Sequence, residues 1–137
     1  MGYRLVVADD SPEIRLLLRF RLGLQDDMEI VAEAEDGLMA ALAAAQHCPD
    51  VVILDWRMPG ADGAQAVGLV RRASPSSRIL VYSSAQCAEA EQEALSAGAD
   101  AFIKKTHGIG TVVAAIRRVC SQGPVIHDLE ARRRESG

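Results

Sequence analysis

Five short apolar runs punctuate the chain: Leu5–Ala8, Ile30–Ala32, Val51–Leu54, Ile79–Tyr82 and Ala101–Ile103. They are rich in Val and Ile and nearly continuous, not alternating. Runs of that kind predict strands buried on both faces, as in a parallel sheet covered by helices. The intervening segments carry helical spacing. Ser11 is placed to cap a helix with Pro12 in its first turn, and Ile14, Leu17, Leu18 and Leu22 follow. A second, Ala-rich helix runs from Gly37 to His47, contains Leu38, Met39 and Leu42, and ends before Pro49. Ala66, Val67 and Val70 mark a third, stopped near Ser74-Pro75. Ala90, Ala94 and Leu95 mark a fourth, closed by Gly98. Ile109, Val112, Val113, Ile116 and Cys120 mark a fifth, closed by Gly123-Pro124.

A strand-helix pair repeated in this way predicts an α/β fold: a parallel sheet with right-handed crossovers and helices on both faces. The 137 residues amount to one domain. The folded unit is expected over residues 1–122. Residues 123–137 follow a Gly-Pro break and end in Arg132-Arg133-Arg134-Glu135-Ser136-Gly137, which reads as a solvated tail or the start of a linker.

Composition narrows the classes. Hydrophobic residues at 49% and charged residues at 25% exclude a disordered tail. Basic residues number 15 and acidic residues 19, for a net charge of −4, so direct nucleic-acid binding by this domain is not expected. No apolar run approaches the roughly 20 residues that span a bilayer. Met1-Gly2-Tyr3-Arg4 lacks the apolar stretch of a signal peptide, and the expected location is cytoplasmic. Cys48, Cys87 and Cys120 are odd in number and form no Cys-x-x-Cys pair, which speaks against a disulfide framework or a zinc knuckle. His47, His107 and His127 lack ligand spacing.

The informative residues stand where the strands end. Asp9 and Asp10 follow the first strand, Asp55 the third, Ser83 and Ser84 the fourth, and Lys104 and Lys105 the fifth. In open α/β sheets, ligands bind outside the carboxyl ends of the strands. Carboxylates gathered there raise one another's pKa values unless a cation lies among them. Oxygen ligands without His or Cys suit Mg²⁺. A lysine beside them adds a second positive charge, and the whole suits a tetrahedral anion such as a phosphoryl group. Taken singly, each residue has a plainer reading. Asp9 and Asp10 sit where acids favour a helix N-terminus, Asp55 with Met58-Pro59-Gly60 could form an ordinary turn, Lys105 could be a surface lysine, Ser83 a turn residue and Phe102 a core aromatic. Trp56, beside Asp55, is expected at the rim of the site.

Four motifs together carry a family resemblance: Val6-Val7-Ala8-Asp9-Asp10-Ser11; Val52-Ile53-Leu54-Asp55-Trp56-Arg57-Met58-Pro59-Gly60-Ala61-Asp62-Gly63; Ile79-Leu80-Val81-Tyr82-Ser83-Ser84; and Gly98-Ala99-Asp100-Ala101-Phe102-Ile103-Lys104-Lys105. Over about residues 3–121 the chain resembles a receiver domain of two-component response regulators. The resemblance implies a flavodoxin-like doubly wound (βα)5 fold with strand order 2-1-3-4-5. It implies that Asp55 accepts a phosphoryl group from a histidine kinase or phosphotransfer protein, with Mg²⁺ as cofactor. Asp10 would ligate the ion directly, Asp9 mostly through water, and the backbone carbonyl of Arg57 would complete the protein ligands together with Asp55. Lys105 would pair with the phosphoryl oxygens, while Lys104, one place off register, would point to the other face. Ser83 would act as the switch hydroxyl and Phe102 as the switch aromatic that turns inward. The face of helix four, strand five and helix five would then change shape and bind a partner or a second copy.

There are departures. Proline often follows the lysine in this family, with a cis bond. Thr106 stands there, and a non-proline cis bond costs ~3–4 kcal/mol, so none is assumed. Ser84 is larger than the usual Ala or Gly. The stretch Gly123-Pro124-Val125-Ile126-His127-Asp128-Leu129-Glu130-Ala131-Arg132-Arg133 is similar to the segment after the receiver in LuxR-type transcriptional regulators, which implies an output domain beyond this chain. Two other readings remain at this stage. One is a stand-alone receiver-like interaction module. The other is a Mg²⁺-dependent aspartate-nucleophile phosphohydrolase, whose usual second aspartate would fall at Arg57.

Overall fold

The structure, a computed structural model, describes residues 2–58, 62–84 and 88–122. Strands and helices alternate: β1 (Tyr3–Ala8), α1 (Pro12–Gly23), β2 (Met28–Ala34), α2 (Gly37–His47), β3 (Val51–Leu54), α3 (Gly63–Ala73), β4 (Arg78–Ser83), α4 (Ala88–Ala97), β5 (Ala101–Lys104) and α5 (Ile109–Gln122). A short 3-10 turn at Lys105–His107 joins β5 to α5. All strand pairs are parallel and the order is 2-1-3-4-5, as the family resemblance implied. The closures at Gly123-Pro124 and the arginine-rich tail lie outside the described residues.

The alternation of side chains along each strand divides the core in two. Val6, Ala8, Val52, Leu54, Ile79, Val81 and Phe102 face α2, α3 and α4. Leu5, Val7, Val51, Ile53, Leu80, Tyr82 and Ala101 face α1 and α5. Both sets are apolar because both faces are covered, which is why these strands read as continuous runs. The strand β2 is longer than its apolar run. It lies at the sheet edge, paired only with β1, so Glu29 and Glu33 are tolerated within it.

One expected position fails in α1, whereas α2 buries a different face from the one its largest residues mark. In α1, Leu18 and Leu22 are buried and Ile14 packs beside them, but Leu17 is 46% exposed. Positions 14, 18 and 22 form one stripe at four-residue spacing, and Leu17 lies about a quarter turn away from it. In α2, Leu38, Met39 and Leu42 are more than half exposed, while Ala40, Ala41 and Ala44 are buried. The small side chains let this helix approach the sheet and α3 closely.

Helix starts are fixed by side-chain acceptors. The Ser11 hydroxyl accepts from Ile14 N–H, and Asp36 accepts from Met39 N–H. Asp62 and Gln65 form a reciprocal capping box on α3. Asp62 therefore serves the helix. Gly98, at φ 118°, ends α4 in a conformation that disfavours a side chain. Its carbonyl accepts from Arg71 at 2.7 Å.

Asp100 clips the start of the β4–β5 pair. One carboxylate oxygen accepts from Ile79 N–H and from Arg71 Nη2, each at 2.8 Å. The carboxylate is buried, so its loss strands a backbone donor and a part-buried guanidinium together. Asp100→Ala is expected to lower unfolding free energy by about 2–3 kcal/mol in urea titration, and Asp100→Asn by less, because the amide oxygen still accepts.

Candidate functional site

The backbone ladder sets the positions of two acids. Ala8 lies opposite Leu54 in the β1–β3 pair. The ladder continues one step past both strands: Asp55 N–H donates to Ala8 O at 2.9 Å, and Asp9 N–H donates to Ala34 O at 3.0 Å. The backbones of Asp9 and Asp55 are thus fixed at adjacent strand ends, Asp9 through β2 and Asp55 through β1, by main-chain bonds that form whatever the side chains are. Strand phase then sets direction. Val7 and Ile53 point to the α1–α5 side, and Ile103 packs there too. Asp9, Asp55 and Lys105 each stand two residues further on and share that phase. Lys104 has the phase of Phe102, on the opposite side.

The structure brings Asp9, Asp10 and Asp55 together, with one oxygen from each lying within 4.8 Å of the others. Asp9 and Asp55 are buried and Asp10 is exposed, so the cluster opens to solvent on one side. Lys105 reaches in from the far edge of the sheet. Its Nζ lies 2.9 Å from Asp9 Oδ2 and 3.4 Å from Asp55 Oδ1, and 5.7 Å from the centre of the Tyr82 ring. The peptide between Lys105 and Thr106 is trans.

Three carboxylates face one ammonium group. Burial pushes the Asp55 pKa up to about 6, the negative charge of Asp9 adds to the rise, and Lys105 and the Arg57 backbone N–H oppose it. Burial works to lower the Lys105 pKa, but its hydrogen bond to Asp9 and the charges of Asp55 and Asp9 outweigh this, so it lies above the usual lysine value. The site thus keeps an excess of negative charge that one hard divalent cation would relieve. Its donor atoms are all carboxylate oxygens, with no His or Cys among them, and this fits Mg²⁺.

The remaining predicted residues are placed as follows. Ser83 is buried at the end of β4, opposite Lys104. Phe102 is already inside, 8% exposed, in the core on the α2–α4 side. Arg57 is exposed, and its backbone N–H bonds the Asp55 carboxylate. Trp56 is partly buried at the rim. Cys120 is partly buried, and burial pushes its thiol pKa up to about 11, as suits an unreactive filler. Cys87 lies outside the described residues.

Sequence reasoning missed Arg15. Its Nη1 donates to the Asp9 carbonyl at 2.6 Å, and its guanidinium lies 3.4 Å from Glu33 and 3.6 Å from Glu35. It ties the β1–α1 loop to the β2 edge. A signal existed: a cation near a helix N-terminus opposes the helix dipole and needs partners to hold it there. Tyr82, under Lys105, carried no such signal within its apolar run.

Comparison with known proteins places this geometry in a family. Residues 5–117 match the response regulator receiver domain. The chain is 37% identical over 120 residues to "Probable transcriptional regulatory protein NarL" of Mycobacterium tuberculosis, covering 88% of this chain and 55% of that protein. It is 39% identical over 106 residues to a protein-glutamate methylesterase/protein-glutamine glutaminase of Thermotoga maritima, covering 77% of this chain and 31% of the other. The chain therefore spans about half, or less, of the length of these relatives. The solved signal receiver domain of NarL from Mycobacterium tuberculosis superposes with a TM-score of 0.83 at 35% identity, covering 88% of this chain and 98% of that one. With its strand order, its acidic cluster and these matches, the chain belongs to the response regulator receiver domain family of two-component systems.

Proposed function

We propose that this domain is a phosphorylation-dependent switch in which Asp55 accepts a phosphoryl group from a histidine kinase or phosphotransfer protein. The observation that carries this reading is the meeting of Asp9, Asp10 and Asp55 at adjacent strand ends under the single ammonium group of Lys105. The folded unit is residues 1–122, and residues 123–137 are a tail or the start of a linker.

An Asp55 oxygen attacks the phosphorus. The bond between phosphorus and the donor's imidazole nitrogen breaks, and the imidazole leaves with the electron pair and takes up a proton. The product is an acyl phosphate on Asp55. Asp10, Asp55 and the Arg57 carbonyl would hold Mg²⁺, with Asp9 acting mostly through water, and the ion would supply positive charge to neutralise the phosphoryl oxygens. Lys105 leaves its carboxylate partners to pair with those oxygens. Ser83 donates a hydrogen bond to them and draws the β4 end inward. Phe102, packed in the core, holds the inward arrangement of the α4–β5–α5 face, which then binds a partner or a second copy.

The output is transcription control through a domain outside this chain, as the similarity to the probable transcriptional regulatory protein NarL and the LuxR-like character of residues 123–133 favour. Among the described residues no helix is long and apolar enough to cross a membrane. We place the domain in the cytoplasm, and its net charge of −4 speaks against direct nucleic-acid binding. The phosphohydrolase reading fits less well, because an exposed arginine stands at position 57.

Two outcomes are expected. Incubation with a small phosphodonor and Mg²⁺ adds one phosphoryl group by intact mass, and Asp55→Asn takes none; a parent that stays unmodified and whose Trp56 fluorescence also fails to respond to the phosphoryl mimic beryllofluoride with Mg²⁺ rejects the reading. The second concerns charge. Without metal, the folded pKa of Asp55 is about 6 against an ordinary 3.8. Between those values the folded state binds more protons than the unfolded state, so this group makes stability fall as pH rises through that window. In chelator, Asp55→Asn should match the parent near pH 4 and exceed it above pH 6 by about 1–3 kcal/mol in urea titration. Added Mg²⁺ should stabilise the parent and not the variant.

A further inference from the structure

The stretch after β3 carries two groups of the site, the Asp55 carboxylate and the Arg57 peptide, and Trp56 lies between them. Its side chain is not free in solvent. The indole packs against the core on the α2–α4 side and rests directly on Gly63, the first residue of α3. The approach is so close that a Cβ built on Gly63 would overlap the six-membered part of the ring. At position 63 glycine is there for the close approach of the ring.

Both ends of this short stretch are anchored. Asp55 N–H is bonded to Ala8 O, and the first turn of α3 is locked by the Asp62–Gln65 capping box. The indole on Gly63 ties Trp56, next to Asp55, to that locked turn. Between the anchors, the Arg57 N–H meets the Asp55 carboxylate. A peptide already held in place loses less freedom when it becomes a ligand.

We propose that Trp56 and Gly63 form a positioning clasp: the indole seated on the glycine holds the Arg57 peptide and the Asp55 carboxylate in the geometry that divalent-cation binding and phosphoryl transfer require. The clasp touches no substrate and acts only through those two groups. The proposal rests on the receiver reading above.

The test uses five proteins: parent, Gly63→Ala, Trp56→Ala, the double variant, and Trp56→Phe. Two quantities are read in each. One is Mg²⁺ affinity by calorimetry, and the other is the Mg²⁺ dependence of phosphorylation by a small phosphodonor, followed by intact mass. Thermal unfolding in chelator checks the fold. Gly63→Ala and Trp56→Ala should each weaken Mg²⁺ binding about tenfold, as loss of a group supporting a metal ligand does. Trp56→Phe, which keeps a flat ring, should stay within about threefold of the parent. Gly63→Ala should cost nothing further once Trp56 is alanine, because the ring it would displace is gone. Equal affinities in parent and Gly63→Ala overturn the clasp, as does the same penalty for Gly63→Ala in both backgrounds. Should Gly63→Ala not fold, Trp56→Ala against Trp56→Phe decides, and equal affinities overturn it. A parent that binds Mg²⁺ but takes no phosphoryl group counts against the receiver reading, while the clasp is still judged by calorimetry. A parent that does neither overturns both.

Discussion

Repulsion between Asp9 and Asp55 is built into the main chain. Parallel pairing of β1 with β3 runs one residue beyond the strands, and the last bond of that ladder starts at the Asp55 amide. The Asp9 carboxylate is held further by a hydrogen bond from Ser11 N–H at 2.9 Å. Both carboxylates are buried, so water screens them little. The protein tolerates this because Lys105 reaches both, from a strand at the far edge of the sheet. The ammonium group offsets part of the charge, yet burial, with the charge of Asp9 adding to it, still holds the Asp55 pKa above its ordinary value. A site in this condition favours whatever brings positive charge, and it presents one carboxylate poised beside a lysine that can change partners.

Other acids in the chain have different work. Asp36 and Asp62 cap helices, and Asp100 bonds a backbone amide and an arginine. Each has donors of its own, from backbone N–H groups or from a guanidinium. Asp9 has a backbone donor too, Ser11 N–H at 2.9 Å, but it lies against Asp55 and shares the Lys105 ammonium group with it. The separation between scaffold acids and site acids is therefore one of neighbours: a scaffold acid faces donors alone, whereas the site acids also face one another. Arg15 stands at the boundary between the two roles. It satisfies the Asp9 carbonyl while its charge is taken up by Glu33 and Glu35, so it steadies the loop without being drawn into the acidic cluster.

Much of this was legible along the chain. The five strands announced themselves because both faces of the sheet are covered, which makes their apolar runs continuous. The site residues were legible because each stands at the carboxyl end of a strand. The face of α1 was legible at Ile14, Leu18 and Leu22, with Leu17 alone falling outside it, but the face of α2 was not. Leu38, Met39 and Leu42 are the largest apolar residues of that helix, yet Ala40, Ala41 and Ala44 form the contacts. Hydrophobicity ranks side chains by transfer energy, whereas close packing against a sheet rewards those small enough to let the backbone approach. The partly polar ends of β2 were hidden for a related reason: an edge strand admits charge that a central strand excludes.

Local spacing determined the element order, the parallel sheet and the three acids at strand ends, since each depends only on neighbours in the chain. Which lysine enters the cluster followed from strand phase, which the sequence also carried. Three matters depended on the assembled chain: how near Lys105 comes to two carboxylates, that Arg15 grips the Asp9 carbonyl, and that an indole lies on Gly63. These join segments that the chain itself does not bring together, and their distances are set by crossover geometry and side-chain packing, for which no periodicity along the polymer stands as a record.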